Sequence, residues 1–119
     1  MSRSRGHSAE ERARIWLQDK GLITLASNLH LAGAELDLVM LDGETVAFVE
    51  VRHRENDSHG DGLESVGPRK RRHLARAAEA YLAGLPVERD GRFDVLALAG
   101  PLDNPRIEWL KDAFDLDDL

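Results

Sequence analysis

Apolar residues recur along the chain at two spacings, and the changes of spacing predict its elements. Apolar positions three or four residues apart predict one helix that starts at Ser8 and ends at Gly21. Its start has the Ser-x-x-Glu form of a capping box. The same spacing predicts a second helix that starts at Pro68, where proline is tolerated, and ends near Gly84.

Between and after these helices, apolar runs with shorter spacing predict five strands. They are Leu22–Leu31, Leu36–Leu41, Thr45–Val51, Phe93–Ala99 and Arg106–Leu110. The third is apolar at nearly every position, which is typical of a strand covered on both faces. Asp42-Gly43 predicts a two-residue hairpin turn before it. The order α-β-β-β-α-β-β predicts an α/β fold: a mixed five-stranded sheet flanked by helices, with an antiparallel meander first and a crossover helix second.

Length and composition place this chain among ordinary soluble proteins. Its 119 residues predict one domain, 1–119, with flexible ends at 1–7 and 115–119. The absence of cysteine excludes disulfides and thiolate zinc sites. No run reaches the roughly 18 apolar residues of a membrane span, and the N-terminus lacks the apolar segment of a signal peptide. We therefore expect a cytoplasmic protein without membrane association.

The net charge of −6 argues against nucleic acid as a partner, but the charge is unevenly distributed. Residues 67–76 contain five cations and no acid. Three of them, Arg69, Arg72 and Arg76, form an outward row at helical spacing. This row is a candidate nucleic-acid-binding surface, although a solvated helix face would explain it equally well.

Acidic side chains interrupt the second and third predicted strands at a spacing of two. Because side chains at i and i+2 share a strand face, Glu35 should project with Asp37, and Glu50 with Arg52. The predicted hairpin would bring both pairs together. Glu10 lies along the inward stripe of the first helix, where a carboxylate also favours the helix dipole. Carboxylate clusters of this kind hold Mg²⁺ or Mn²⁺ and activate water.

Structural roles are the alternative for the same residues. A carboxylate in a buried strand costs several kcal/mol unless it is paired or binds a metal. Glu50 therefore has an ion pair as its alternative role, with Arg52, Lys70 or Arg54 as partner. For Asp37, the alternative is a hydrogen bond within a turn.

Other polar and aromatic residues have simpler explanations. Arg92 and Asp94 are two residues apart at a strand start and predict an ion pair there. Tyr81, His73 and Trp109 would stack on bases only if the fold exposes them. The sequence pattern does not establish that exposure.

Taken together and in order, the motifs resemble the YraN family of bacterial proteins, over nearly the whole chain. That family is similar to archaeal Holliday-junction resolvases and to the wider restriction-endonuclease-like, PD-(D/E)xK superfamily. The motifs are Glu10-x-x-Ala13-x-x-x-Leu17-x-x-x-Gly21, Gly33-Ala34-Glu35-Leu36-Asp37-Leu38, Phe48-Val49-Glu50-Val51-Arg52, Lys70, Ala78-x-x-Tyr81-Leu82, Arg92-Phe93-Asp94-Val95 and Ala113-Phe114. The resemblance implies a restriction-endonuclease-like fold.

The resemblance also implies a metal centre. In the superfamily, an acid at the start of one strand and the glutamate of E-x-K on the next bind Mg²⁺ or Mn²⁺. Carried onto this sequence, these ligands are Asp37 and Glu50. Glu10 is the helix acid that often joins them, and Glu35 is a neighbouring acid.

The catalytic cation departs from the superfamily pattern. Arg52 stands where the motif has lysine, and arginine keeps the charge but changes the shape and donor geometry. Lys70, on the inward stripe of the second helix, is an alternative source of an ammonium group. A catalytic pair of Arg52 and Lys70 is therefore the hypothesis for the cationic side of the site.

The implied function is nucleic-acid binding by a nuclease-like fold, with Mg²⁺-dependent endonuclease activity on structured DNA. The alternatives are a binding module that has lost cleavage, or an interaction protein that docks a partner through its acidic tail or a sheet edge. The expected partner is nucleic acid, DNA before RNA, and a homodimer is compatible with the pattern.

Overall fold

A computed structural model describes residues 2–55 and 67–114, with side chains from Ser8 onward. Within these ranges the elements are α1 (Ser2–Asp19), β1 (Ile23–Leu31), β2 (Ala34–Asp42), β3 (Thr45–Arg54), α2 (Pro68–Ala83), β4 (Gly91–Ala99) and β5 (Arg106–Phe114). This order confirms the predicted α/β fold. The last five residues of the acidic tail 111–119 lie outside the described residues, as do residues 56–66 between β3 and α2.

The five strands form one mixed sheet in the order β1-β2-β3-β4-β5. All neighbours pair antiparallel except β3 and β4, which are parallel. Parallel neighbours need a crossover connection, and α2 supplies it between β3 and β4. Neither described helix is long and apolar enough to cross a membrane.

Two apolar clusters hold the helices to opposite faces of the sheet. The cluster beneath α2 includes Leu74, Ala77, Ala78, Phe48 and Phe93. The cluster beneath α1 includes Ala13, Leu17, Met40, Val49 and Leu96. Successive side chains of β3 enter different clusters, since side chains alternate along a strand. This double coverage explains why β3 is apolar from Val46 to Val49.

The turn between β2 and β3 lies one residue later than the sequence predicts. Asp42 pairs with Thr45, so the two turn residues are Gly43 and Glu44. Gly43 has a φ of 64°, a left-handed conformation that glycine adopts without steric cost. Asp42 therefore ends the strand rather than forming the turn.

The other end of this hairpin positions the candidate site. The paired ladder between β2 and β3 stops at Leu38 and Val49. Asp37 and Glu50 follow immediately beyond this last pair, one on each strand. The two carboxylates thus stand where the strands separate.

Two element boundaries differ from the predicted ones by four residues or more. Helix α1 begins at Ser2, so Ser8 lies inside it and does not cap it. Strand β5 continues to Phe114 instead of ending at Leu110, through an irregularity in its pairing with β4. Asp112 has a φ of 54° within this irregular stretch, which breaks the alternation that the sequence pattern relies on.

Candidate metal and nucleic-acid site

A pocket of about 270 Å³ lies at the end of the β2–β3 ladder. Its lining residues are Gly33, Ala34, Glu35, Asp37, Glu50, Lys70, His73 and Leu74. The start of β2 and the turn before it contribute the first four, β3 contributes Glu50, and α2 contributes the rest. Three parts of the chain that are distant in sequence therefore meet in one cleft.

Glu50 is a buried carboxylate held by two cations. It is only 3% exposed. Lys70 Nζ lies 3.0 Å from its Oε1, and Arg52 Nη2 lies 3.5 Å from the same oxygen. The Lys70 distance is that of a charge-assisted hydrogen bond. The ion pairing considered as the structural alternative for Glu50 is thus present, with both Lys70 and Arg52.

Arg52 contributes charge to this pair without a directed hydrogen bond. Its distance to Glu50 suits an ion pair, but no described residue accepts a hydrogen bond from Arg52 Nε or Nη2. Both nitrogens are buried. A buried donor without an acceptor lowers the stability of the fold unless a bound ligand supplies the acceptor. The guanidinium therefore has hydrogen-bonding capacity for an anion.

Asp37 is fixed in place yet electrostatically unfavourable when ionised. The backbone N–H of Val51 donates to its Oδ2 at 2.9 Å, which ties β2 to β3 beyond their last ladder pair. Burial raises the pKa of Asp37 from its ordinary value near 3.8 to about 7, with help from the charges of Glu50 and Glu10. The Val51 hydrogen bond and Lys70 act in the opposite direction. Burial and the neighbouring negative charges have the larger effect, so the pKa of Asp37 is raised.

Two further carboxylates approach Asp37. One oxygen each from Glu10, Glu35 and Asp37 lie within 4.8 Å of one another. Glu35 also forms a 3.0 Å hydrogen bond with His30 Nε2 on β1. The i, i+2 expectation that Glu35 and Asp37 project together is met, and α1 delivers Glu10 to the same place.

The donor set fits a divalent cation. One carboxylate oxygen each from Glu10, Glu35 and Asp37 lies near the others, while the two cations Lys70 and Arg52 pair with Glu50, so the four acids exceed the cations by two formal charges. Carboxylate oxygens are the ligands that Mg²⁺ and Mn²⁺ prefer. A divalent ion would neutralise the excess charge and remove the repulsion that raises the pKa of Asp37.

The basic row on α2 lies beside this pocket. Arg69, Arg72 and Arg76 are all exposed, as the helical spacing predicts. Lys70 instead turns inward to Glu50. His73, three residues after Lys70, lines the same pocket. The sequence pattern identifies His73 only as a stacking candidate, and its i+3 spacing from Lys70 is the signal that places it on the pocket wall.

Arg92 and Asp94 belong to a different, structural cluster. Asp94 is fully buried and accepts hydrogen bonds from Arg92 Nε at 3.0 Å and Trp109 Nε1 at 3.0 Å. The backbone N–H of Asp112 donates to it at 2.9 Å. This carboxylate is thus satisfied within the protein, and the predicted ion pair is observed.

The remaining stacking candidates are engaged in ring contacts within the protein. Tyr81 meets Phe48 edge-on at 5.9 Å between ring centroids. Trp109 meets Trp16 in the same manner and at the same distance. Both tyrosine and tryptophan are only partly exposed. Their rings therefore serve packing first.

Sequence comparison places relatives across several bacteria. Residues 9–98 match the profile described as Uncharacterised protein family UPF0102. A UPF0102 protein of Halorhodospira halophila is 46% identical over 112 residues, covering 94% of this chain and 88% of that protein. One of Stutzerimonas stutzeri is 44% identical over 116 residues, with coverages of 96% and 97%. One of Xylella fastidiosa strain M12 is 47% identical over 116 residues, with coverages of 95% and 93%.

Proposed function

Starting from the fact that the chain belongs to Uncharacterised protein family UPF0102, we propose that it binds nucleic acid and hydrolyses phosphodiester bonds in DNA with Mg²⁺ or Mn²⁺. One observation carries this proposal: three carboxylates, from Glu35, Asp37 and Glu50, line one pocket with Lys70 beside an exposed basic helix face, and Glu10 approaches Asp37 from α1. Branched DNA is the substrate implied by the resemblance to Holliday-junction resolvases.

The acids and the two cations at and beside the pocket each have a role in this proposal. Asp37 and Glu50 would hold the metal ion, with Glu10 and Glu35 as further oxygen donors. When bound, the ion supplies Lewis acidity and a water of lowered pKa. Lys70 places a compact positive charge in the pocket, where it would stabilise negative charge developing on a phosphate. The residue that would orient the phosphate is Arg52, through its available donors.

Ion pairing alone does not account for the pocket. Lys70 and Arg52 both contact Glu50, yet Asp37 remains crowded by Glu10 and Glu35. A structural role would be served better by an apolar or amide side chain at position 37. Strongly perturbed carboxyl groups in a cleft are typical of functional sites, because the chemistry requires the arrangement that stability disfavours.

A second candidate function is nucleic-acid binding without cleavage. The observation that favours it is the guanidinium at position 52, which approaches Glu50 without a directed hydrogen bond. In this case the exposed row Arg69, Arg72 and Arg76 would bind phosphates, and the carboxylates would be a remnant. Docking through the acidic tail concerns mainly residues 115–119, which lie outside the described part of the chain, and the described tail residues 111–114, at the end of β5, give it no support.

A cleavage assay on linear, flapped and four-way DNA with Mg²⁺ or Mn²⁺ separates the two candidates. We expect slow, metal-dependent cleavage by the wild type that Glu50→Gln abolishes. Glu79→Gln, an exposed change on α2 outside the pocket, should cleave as the wild type does. Binding of DNA with no cleavage of any substrate would favour the binding module. Equal cleavage by Glu50→Gln would locate the activity elsewhere.

The same assay tests the role of the cation at position 52. Arg52→Lys should raise the cleavage rate, because a compact ammonium approaches one phosphate oxygen and the attacking water together, whereas a guanidinium spreads its donors. DNA affinity should change little, since the charge is kept. A lower rate in the variant would show instead that the guanidinium is the better partner for this pocket.

A further inference from the structure

Breaking a phosphodiester leaves an alkoxide that must take up a proton, and the roles given above provide no donor for it. We propose that His73 protonates the departing oxygen, acting as the general acid of the pocket. This inference rests on the proposed cleavage function and deepens it. It adds a catalytic residue to the metal ligands and cations.

The position of His73 supports this role. It lines the same pocket as Asp37, Glu50 and Lys70. It stands one helical turn beyond Lys70, so the two side chains share the α2 wall of the cleft. His73 is also exposed, so its imidazole can regain a proton from solvent after each turnover.

The other histidines whose side chains the structure describes each have a hydrogen-bond partner. His30 Nε2 is hydrogen-bonded to Glu35 at 3.0 Å. His53 Nε2 lies 3.0 Å from the carbonyl oxygen of Gly100. Among these described histidines, His73 is the one on the pocket wall. An imidazole is suited to the task, because histidine is the side chain that ordinarily both holds and releases a proton near neutral pH.

The opposite wall leaves space for the departing group. It is formed by the turn between β1 and β2, with Gly33 at φ +83°. A Cβ added at Gly33 would meet no atom within 4 Å. In the proposal, a sugar carrying the departing oxygen would lie on this open side of the pocket, which His73 also lines.

The proposed step balances without any further reactant. Water forms the new P–O bond and releases its proton to solvent. The bond between phosphorus and the departing oxygen breaks, and its electron pair stays on that oxygen. The imidazolium of His73 gives this oxygen a proton, so the products are a phosphate monoester and an alcohol. His73 then takes a proton from solvent.

Replacing the departing oxygen by sulfur tests this assignment, because a thiolate leaves without protonation far more readily than an alkoxide. The end of the product that carries the phosphate identifies which bridging oxygen departs. Single-turnover rates are then measured with Mn²⁺ on the oxygen and sulfur substrates. The proteins are the wild type, His73→Gln and the control Glu79→Gln. The exposed helix positions of both changes should leave folding intact, which circular dichroism checks.

We expect His73→Gln to slow cleavage of the oxygen substrate by about 10²- to 10⁴-fold. On the sulfur substrate its rate should stay within about threefold of the wild type, since the missing proton is no longer needed. An equal loss on both substrates, or no loss on either, would overturn the role of His73 while leaving the cleavage proposal intact. A wild type that cleaves neither substrate would overturn both proposals.

Discussion

At the scale of single residues, Asp37 shows that the candidate site lowers the stability of the fold. Its carboxyl group accepts a hydrogen bond from Val51, but burial and the charges of Glu50 and Glu10 still raise its pKa to about 7. A group whose folded pKa exceeds its unfolded value is harder to ionise in the native state. Native Asp37 therefore costs stability at any pH where the unfolded chain has already released the proton.

This gives a signed prediction for Asp37→Asn in the presence of a chelator. The contribution of Asp37 to the stability of the wild type should be greatest below about pH 4 and fall between about pH 4 and 7, because the unfolded chain ionises there before the native protein does. The amide cannot ionise but can still accept from Val51 N–H. The variant should thus be more stable at pH 8, by on the order of 1–3 kcal/mol, since one pKa unit corresponds to about 1.4 kcal/mol and the shift is shared with neighbouring acids.

Denaturant unfolding at pH 4 and pH 8 measures this difference. The gain should be small at pH 4, where Asp37 is largely protonated in the native protein. Millimolar Mg²⁺ should stabilise the wild type and not the variant if the ion binds only the native state. A variant that is less stable than the wild type at pH 8 would show that the carboxylate is favourable in its metal-free setting.

The alternation of side chains along a strand predicted most of the contacts among the site residues. Glu35 and Asp37 lie together, and Glu50 contacts Arg52, because a spacing of two keeps side chains on one strand face. The contact between Lys70 and Glu50 depends on how α2 packs against the sheet. The sequence predicted Lys70 only as one of three possible partners of Glu50. Local patterns do not determine which distant side chain contacts a given residue.

At the scale of elements, α2 presents two chemically different faces. Leu74, Ala77 and Ala78 are buried against the sheet, while its exposed row carries the arginines of the basic surface. Lys70 and His73 line the pocket along this helix. The helix therefore joins the apolar core, the pocket and a surface suited to a phosphate backbone.

Salt-dependent DNA binding tests the basic face of α2. Changing Arg69, Arg72 and Arg76 together to alanine should weaken binding and reduce the slope of log affinity against log salt by up to about 2.7, at about 0.9 for each phosphate contact. Exposed cations outside α2 provide a control with the same loss of charge: Lys20, Arg106 and Lys111, also changed to alanine. The control should change the slope far less. Equal effects of the two triple variants would show that the row is a solvated helix face and not a DNA-binding surface.

Element boundaries were predictable where local pattern determines them and not elsewhere. The β2–β3 hairpin followed from its glycine, although the turn lies one residue later than predicted. The end of β5 was not predictable from the sequence. The N–H of Asp112 donates to the buried Asp94 carboxylate, and this contact interrupts the alternation of side chains along the strand. That contact joins residues from two strands. A short stretch of sequence around either residue therefore does not predict this contact.

At the scale of the whole molecule, the site depends on both helices covering one sheet. α1 brings Glu10 to the start of β2, and α2 brings Lys70 to β3 from the other side of the hairpin opening. Fold class and element order followed from the sequence. The meeting of Glu10 with Glu35 and Asp37 was implied only by resemblance, since it arises from tertiary packing that composition and spacing do not encode.

The most direct measurement is anomalous diffraction from crystals of the wild-type protein and of Glu50→Gln grown with millimolar Mn²⁺. It tests the central claim that this pocket is a divalent-cation centre. We expect an anomalous peak within coordination distance of the Asp37 and Glu50 carboxylates in the wild type, and its loss or marked weakening in the variant. A wild-type pocket without a peak, while Mn²⁺ binds elsewhere or not at all, would contradict the account.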